Sequence, residues 1–132
     1  AQACERWNML HPTQDQKKPF IVEALEKTEG PVIAASDYMK ILPDMIRPWV
    51  PEELFTLGTD GFGRSDTRPE LRRHFEVDAE CIAIGVLHTL AKQGKVKREA
   101  VQNAIDSLGV DPEKADPVSA GPVLQKSFLN AG

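Results

Sequence analysis

The densest set of groups able to do chemistry lies in the stretch Gly58 to Thr67, which reads GTDGFGRSDT. It holds Gly58, Gly61 and Gly63, the carboxylates of Asp60 and Asp66, the Arg64 guanidinium, the Ser65 hydroxyl and the Phe62 ring. It follows directly on the apolar run from Leu54 to Leu57. Strand, glycine loop and helix is the layout in which backbone N–H groups cradle a phosphate. The glycines, however, run G-x-x-G-x-G rather than in the dinucleotide order G-x-G-x-x-G, and no Lys-Ser or Lys-Thr pair follows. Glycine also permits positive φ and close backbone approach, so the same residues suit a sharp turn on which another surface packs. Phe62, at the tip, then becomes an anchor in the core or across an interface.

A basic cluster follows: Arg64, Arg68, Arg72, Arg73 and His74. Arginines grouped in this way suit bidentate recognition of phosphate or carboxylate. The same residues also suit a solvated face, or ion pairs with Asp60, Asp66, Glu70, Glu76 or Asp78. His11, His74 and His88 share no metal-ligand spacing with one another or with Cys4 and Cys81. His88, between Leu87 and Leu90, reads as a core or interface histidine. No serine or threonine stands in a nucleophile elbow. From the residues alone the chain holds no self-contained catalytic, cofactor or metal site. The candidates are Asp60, Phe62, Gly63, Arg64, Ser65 and Asp66, as interface or channel residues.

The elements that must position these groups are legible from periodicity. Residues 1–18 read as an extended arm, since His11-Pro12 and a polar run follow Trp7, Met9 and Leu10. Pro19 opens a helix carrying Phe20, Ile21, Ala24 and Leu25, which Gly30-Pro31 ends. Short apolar runs predict strands at 32–36 and 54–58. Between them, Ser36 and Asp37 can cap a helix with the stripe Met39, Leu42, Met45, Ile46 and Trp49, and Pro43 inside it predicts two short helices or a kink. Thr67 and Glu70 match a capping box. Asp78 caps a longer helix through Ile82, Val86, Leu87 and Leu90 to Gly94, and a further helix runs from Lys97 to Leu108. Residues 1–116 thus form one α/β unit with a helical C-terminal half, and 117–132 a flexible tail.

A strand–helix–strand unit of this size implies a parallel pair with a right-handed crossover. Two parallel strands make a poor core, because parallel sheets normally have more strands and both faces covered. Neighbouring strands are therefore expected from chain before Ala1 or from a partner. The absence of an initiator Met likewise reads as a piece of a longer protein.

Composition narrows the class. The chain has 132 residues, 41% hydrophobic and 27% charged, with a net charge of −4. It is the size of one globular domain, and its acidity argues against general nucleic-acid affinity. The run from Cys81 to Leu90 is too short to span a bilayer. Two distant cysteines without a C-x-x-C spacing read as reduced thiols in a cytoplasmic protein.

Four stretches together are specific: CERWNMLHP from Cys4, SDYMK from Ser36, LGTDGFGRSD from Leu57 and RRHFEVDA from Arg72. The chain resembles, from about Cys4 to Asp116, the C-terminal region of the homodimeric bacterial pyruvate dehydrogenase decarboxylase component, a transketolase-like family. The resemblance implies the later part of a transketolase C-terminal-like α/β domain whose leading strands precede Ala1. It implies an enzyme that decarboxylates pyruvate on thiamine diphosphate with Mg²⁺ and acetylates a lipoyl group. Implied partners are the rest of the subunit, a second identical subunit and the dihydrolipoyl acetyltransferase, with no nucleic acid or membrane.

The family's cofactor ligands lie in its earlier domains. Thr59-Asp60-Gly61 differs from the Gly-Asp-Gly metal motif by its threonine, and no partner Asn occurs before Asn103. No catalytic role carries over, and the fragment is expected to be structural and inactive alone. The loop is expected near the subunit interface, shaping the approach of substrate and lipoyl group. The alternative is an autonomous anion-binding or regulatory module using Arg64, Arg68 and Arg72.

Overall fold

The computed structural model describes residues 1–121; residues 122–132, most of the segment read as a tail, lie outside the described residues. In chain order the elements are α1 (Gln2–Leu10), α2 (Phe20–Leu25), β1 (Val32–Ala35), α3 (Ile41–Asp44), β2 (Leu54–Leu57), α4 (Arg68–His74), α5 (Ala79–Lys92) and α6 (Arg98–Ser107). A single 3-10 turn, Arg47–Trp49, separates α3 from β2. The two strands are parallel, pairing Val32 with Leu54, Ile33 with Phe55, Ala34 with Thr56 and Ala35 with Leu57. The mixed α/β class, the parallel pair and the helical C-terminal half agree with the sequence reading. Each strand is one residue shorter than expected, although Ser36 N–H still donates to the Leu57 carbonyl at 3.0 Å.

The first eighteen residues correct the reading of an extended arm. Residues Gln2–Leu10 are helical, and His11 closes the helix with an N–H donated to the Asn8 carbonyl. Cys4, Trp7 and His11 fall on one helical face at i, i+3 and i+7. The Trp7 and His11 rings stack with centroids 4.4 Å apart, and the Lys17 ammonium lies 4.1 Å from the Trp7 ring centroid. The chain then doubles back. The Asn8 side chain accepts from Lys17 N–H at 2.8 Å and donates to the Lys17 carbonyl at 3.0 Å. Trp49 Nε1 donates to Glu5 at 3.1 Å and ties α1 to the turn before β2. Pro12 bars continuation at His11, so the helix is a short one whose partners come from distant chain.

Pro43 has the effect expected of it: α3 is one short turn and the 3-10 turn follows. Ser36 and Asp37 do not cap α3, which starts only at Ile41. Ser36 Oγ instead accepts from Tyr38 N–H at 3.1 Å, capping a tight turn. Thr67 stands at the N-cap of α4 but its side chain makes no capping bond. Pro69 at the second helical position removes one of the N–H groups that Thr67 could serve. Asp78 is the cap its position predicts: Oδ1 accepts from Cys81 N–H at 3.0 Å.

The core is small. Leu54, Leu57, Val77 and Cys81 are buried, together with Thr89 on α5. Helix α5 lies on both strands and against α6. Gly85 lets α5 approach the Phe55 ring closely, since a Cβ there would stand 3.1 Å from the ring edge. Thr89 Oγ1 donates to the Gly85 carbonyl at 2.8 Å, which satisfies its buried hydroxyl. His88 is exposed rather than in the core, with its ring centroid 5.8 Å from that of Phe55. Many large apolar residues stay exposed, among them Met9, Phe20, Ile41, Leu42, Met45 and Phe62. The described residues thus leave apolar helix faces uncovered beside a sheet of two strands.

Candidate functional site

The loop after β2 is stitched to the turn after β1. Thr59 N–H donates to the Tyr38 carbonyl at 2.9 Å, and Lys40 N–H donates to Asp60 Oδ2 at 3.1 Å. Gly58 allows this, since a Cβ there would lie 2.6 Å from the Tyr38 carbonyl oxygen and 2.7 Å from Lys40 N. The SDYMK and GTDGFGRSD stretches are therefore neighbours at the C-terminal ends of the two parallel strands. That is where α/β folds gather their functional loops.

Gly61 fixes the middle of the loop. Its φ is +120°, and a Cβ would overlap the Pro117 carbonyl. Pro117 is buried, and the turn behind it is closed by Ser119 and Ala120 N–H groups on the Asp116 carbonyl, at 3.0 and 2.7 Å. The segment expected to be a flexible tail is thus packed at its start: Pro117 rests on the loop because Gly61 lets the two backbones meet. Gly63 has open space around it. Phe62, between them, is 56% exposed.

The remaining candidates separate. Asp60 is engaged with the Lys40 backbone. Ser65 and Asp66 are exposed, and Asp66 Oδ1 accepts from Thr67 N–H at 2.7 Å. Arg64 turns toward α4, its Nη1 donating to His74 Nδ1 at 2.7 Å. Burial of His74, then the neighbouring Arg64 and Lys114 charges, hold its pKa below the ordinary 6.5. A neutral imidazole nitrogen can accept from a guanidinium, so the bond and the shift agree.

The basic cluster is partly paired. Arg73 bridges Asp78 and Glu80, Lys114 pairs with Glu76 at 3.0 Å, and Arg72 reaches Asp37 at 3.1 Å. For Asp78, burial pushes the pKa up, but the bonds from Cys81 and the Arg73 charge outweigh it and hold the carboxyl below 3.8. Arg64 and Arg68 pair with no carboxylate among the described residues. They line a cleft of about 360 Å³ together with Arg72, Asp37, Thr59 and the Leu71, Phe75 and Val77 side chains.

The carboxylates of the loop do not form a metal set. Asp60 already holds a backbone N–H, and no three His, Cys, Asp or Glu side chains group as ligands among the described residues. The donor set of the loop does not fit a divalent cation with its diphosphate. Sequence reasoning placed His74 in the basic cluster but missed Asp37 and Pro117 as members of this site. Asp37 was visible only as a helix cap. Its place just after β1 was the signal that it faces the same end of the sheet as Thr59.

Comparisons with known proteins agree on one kinship. The family model described as the transketolase-like TK C-terminal domain matches residues 5–78. The pyruvate dehydrogenase E1 component of Pseudomonas aeruginosa is 49% identical over 117 residues, which cover 88% of this chain and 13% of that protein. That of Escherichia coli K12 is 44% identical over 117 residues, with the same shares of each chain. That of Mycolicibacterium smegmatis is 44% identical over 117 residues, which cover 89% of this chain and 13% of that protein. The chain thus spans about 13% of the length of the curated relatives it matches.

Proposed function

Since this chain belongs to the transketolase-like C-terminal domain family, we propose that it is the C-terminal part of a pyruvate dehydrogenase E1-type subunit. The parent enzyme decarboxylates pyruvate and passes the acetyl unit to a lipoyl group of the dihydrolipoyl acetyltransferase. It does so in the cytoplasm as a homodimer within a multienzyme complex. Thiamine diphosphate, when bound, supplies the carbanion chemistry, and other domains of the subunit hold it with Mg²⁺. This part contributes scaffold and contact surface, not a catalytic group.

The observation that carries the reading is the exposed Phe62 ring at the tip of a preorganised loop. Gly58 and Gly61 clamp the loop on both sides, so the ring is presented at little further cost in ordering. A half-exposed aromatic on a fixed backbone is the form an interface anchor takes. The uncovered apolar residues of α3 and the two-stranded sheet support the same view, because both gain from adjoining protein.

The test is Phe62→Ala in the intact enzyme. Truncation of a central aromatic anchor costs about 2 kcal/mol or more. Sedimentation is expected to show a weakened dimer, or acetyl transfer to the lipoyl group is expected to drop, with the fold intact by circular dichroism. Unchanged assembly together with unchanged turnover would remove the loop from the interface and from the substrate approach.

A further inference from the structure

Two clefts meet at the C-terminal ends of β1 and β2, and they differ in charge. The larger, about 750 Å³, is lined by Asp37, Glu70, Asp78 and Glu80 against Arg68, Arg72 and Arg73. Four acids against three arginines favour no anion. The smaller, about 360 Å³, has Arg64, Arg68 and Arg72 against Asp37 alone. Asp37 is occupied by Arg72, which leaves Arg64 and Arg68 as two guanidiniums with no carboxylate of their own among the described residues. Two arginines without a carboxylate partner among the described residues thus stand on one small cleft.

The geometry gives them a common target. Arg64 is held to the α4 side of the cleft by its bond to His74. Arg68 stands at the first position of α4, beside the same opening. Planar guanidinium forks match the oxygens of a phosphate, and two such forks favour a dianion over a single carboxylate. The floor is apolar: Leu71, Phe75 and the buried Val77. A volume of about 360 Å³ is at the small end of small-molecule sites, which run from about 300 to 1,000 Å³.

We propose that this cleft binds a small phosphate monoester. Arg64 and Arg68 take the phosphate oxygens, and the organic part of the ester lies on Leu71, Phe75 and Val77. Guanidinium forks hold phosphate oxygens without a metal ion.

Titration calorimetry on the intact protein tests this with two probes, phenyl phosphate and inorganic phosphate. The expected result is saturable binding of both, with phenyl phosphate the tighter because its ring uses the apolar floor. Arg68→Gln and, separately, Arg64→Gln each weaken phenyl phosphate binding by about tenfold, the effect of one charge-assisted contact at a partly exposed site. Arg98→Gln, on α6 and away from the cleft, leaves it unchanged. Phosphate sites elsewhere in the protein are common to all variants and cancel in the comparison. Both cleft arginines are exposed, so neither change threatens the fold, and a melting curve verifies that. Equal affinity in the parent protein and both variants, or no saturable binding, overturns the proposal. Phenyl phosphate binding no tighter than inorganic phosphate overturns it as a monoester site.

Discussion

At the scale of single residues, His74 is the group whose chemistry the surroundings change most usefully. Burial, Arg64 and Lys114 all oppose its protonation, while Glu76 favours it. Its folded pKa lies below the unfolded value of 6.5, so below that pH the unfolded chain binds more protons than the folded one. The stability contribution is complete above pH 6.5, falls as the pH drops toward the folded pKa, and is level below it. Removing the Arg64 charge relieves the second of these causes. In Arg64→Gln the His74 titration, followed by its ring-proton chemical shift, is expected to move up toward 6.5. A titration identical to that of the parent protein would contradict the 2.7 Å contact. Cys81 is the opposite case: burial first, then the bond and charge of Asp78, push its thiol up to about 12. Few of its molecules are thiolates at neutral pH, so it serves as a small core side chain.

At the scale of elements, the loop at 58–67 is held by backbone, not by its own side chains. Gly58 admits the turn after β1, Gly61 admits Pro117, and Gly63 meets nothing within 4 Å. This makes the two inner glycines a matched pair for a test. Gly61→Ala must change a φ of +120° or displace Pro117, a local cost of about 1–3 kcal/mol. Hydrogen exchange in the loop and around 116–120 is expected to speed up about tenfold or more. Gly63→Ala leaves exchange near that of the parent protein, within about 0.5 kcal/mol. Equal protection in the two variants would show that Pro117 does not rest on the loop.

At the scale of the whole molecule, the described residues form a sheet of two strands whose helices keep large apolar faces uncovered. Phe20 is 82% exposed and Met9 70%. Unpaired strand edges and apolar patches of this kind recruit other chains. Expressed by itself, the 132-residue chain is expected to self-associate at micromolar concentration and to bind an apolar dye. A chain that sediments as a monomer and leaves the dye dark would show that these faces find cover within the segment. Among the described residues no helix is long and apolar enough to cross a membrane.

The elements that depend on local signals were legible in the sequence. The apolar runs at 32–36 and 54–58, the Asp78 cap and the glycine stops of α5 and α6 each follow from the chemistry of a few neighbouring residues. The failure at α1 has the same root. Its apolar face is narrow, and the partners that hold it, Lys17 and Trp49, lie outside any local window. The loop's composition by itself argued against the phosphate cradle its glycines suggest, because their order is wrong and the lysine is missing. Its composition did not reveal which glycine carries a contact. Only tertiary structure chose Gly61 over Gly63, since that depends on where Pro117 returns after more than fifty residues of chain. The same holds for the arginines. Type and spacing made them candidates for ion pairs or for an anion, and the choice depended on which acids the fold brings near. Arg72 and Arg73 found carboxylates; Arg64 and Arg68 were left facing a cleft. Charge neutralisation is a through-space property with a range of a few ångströms, so it is decided by packing and not by order along the chain.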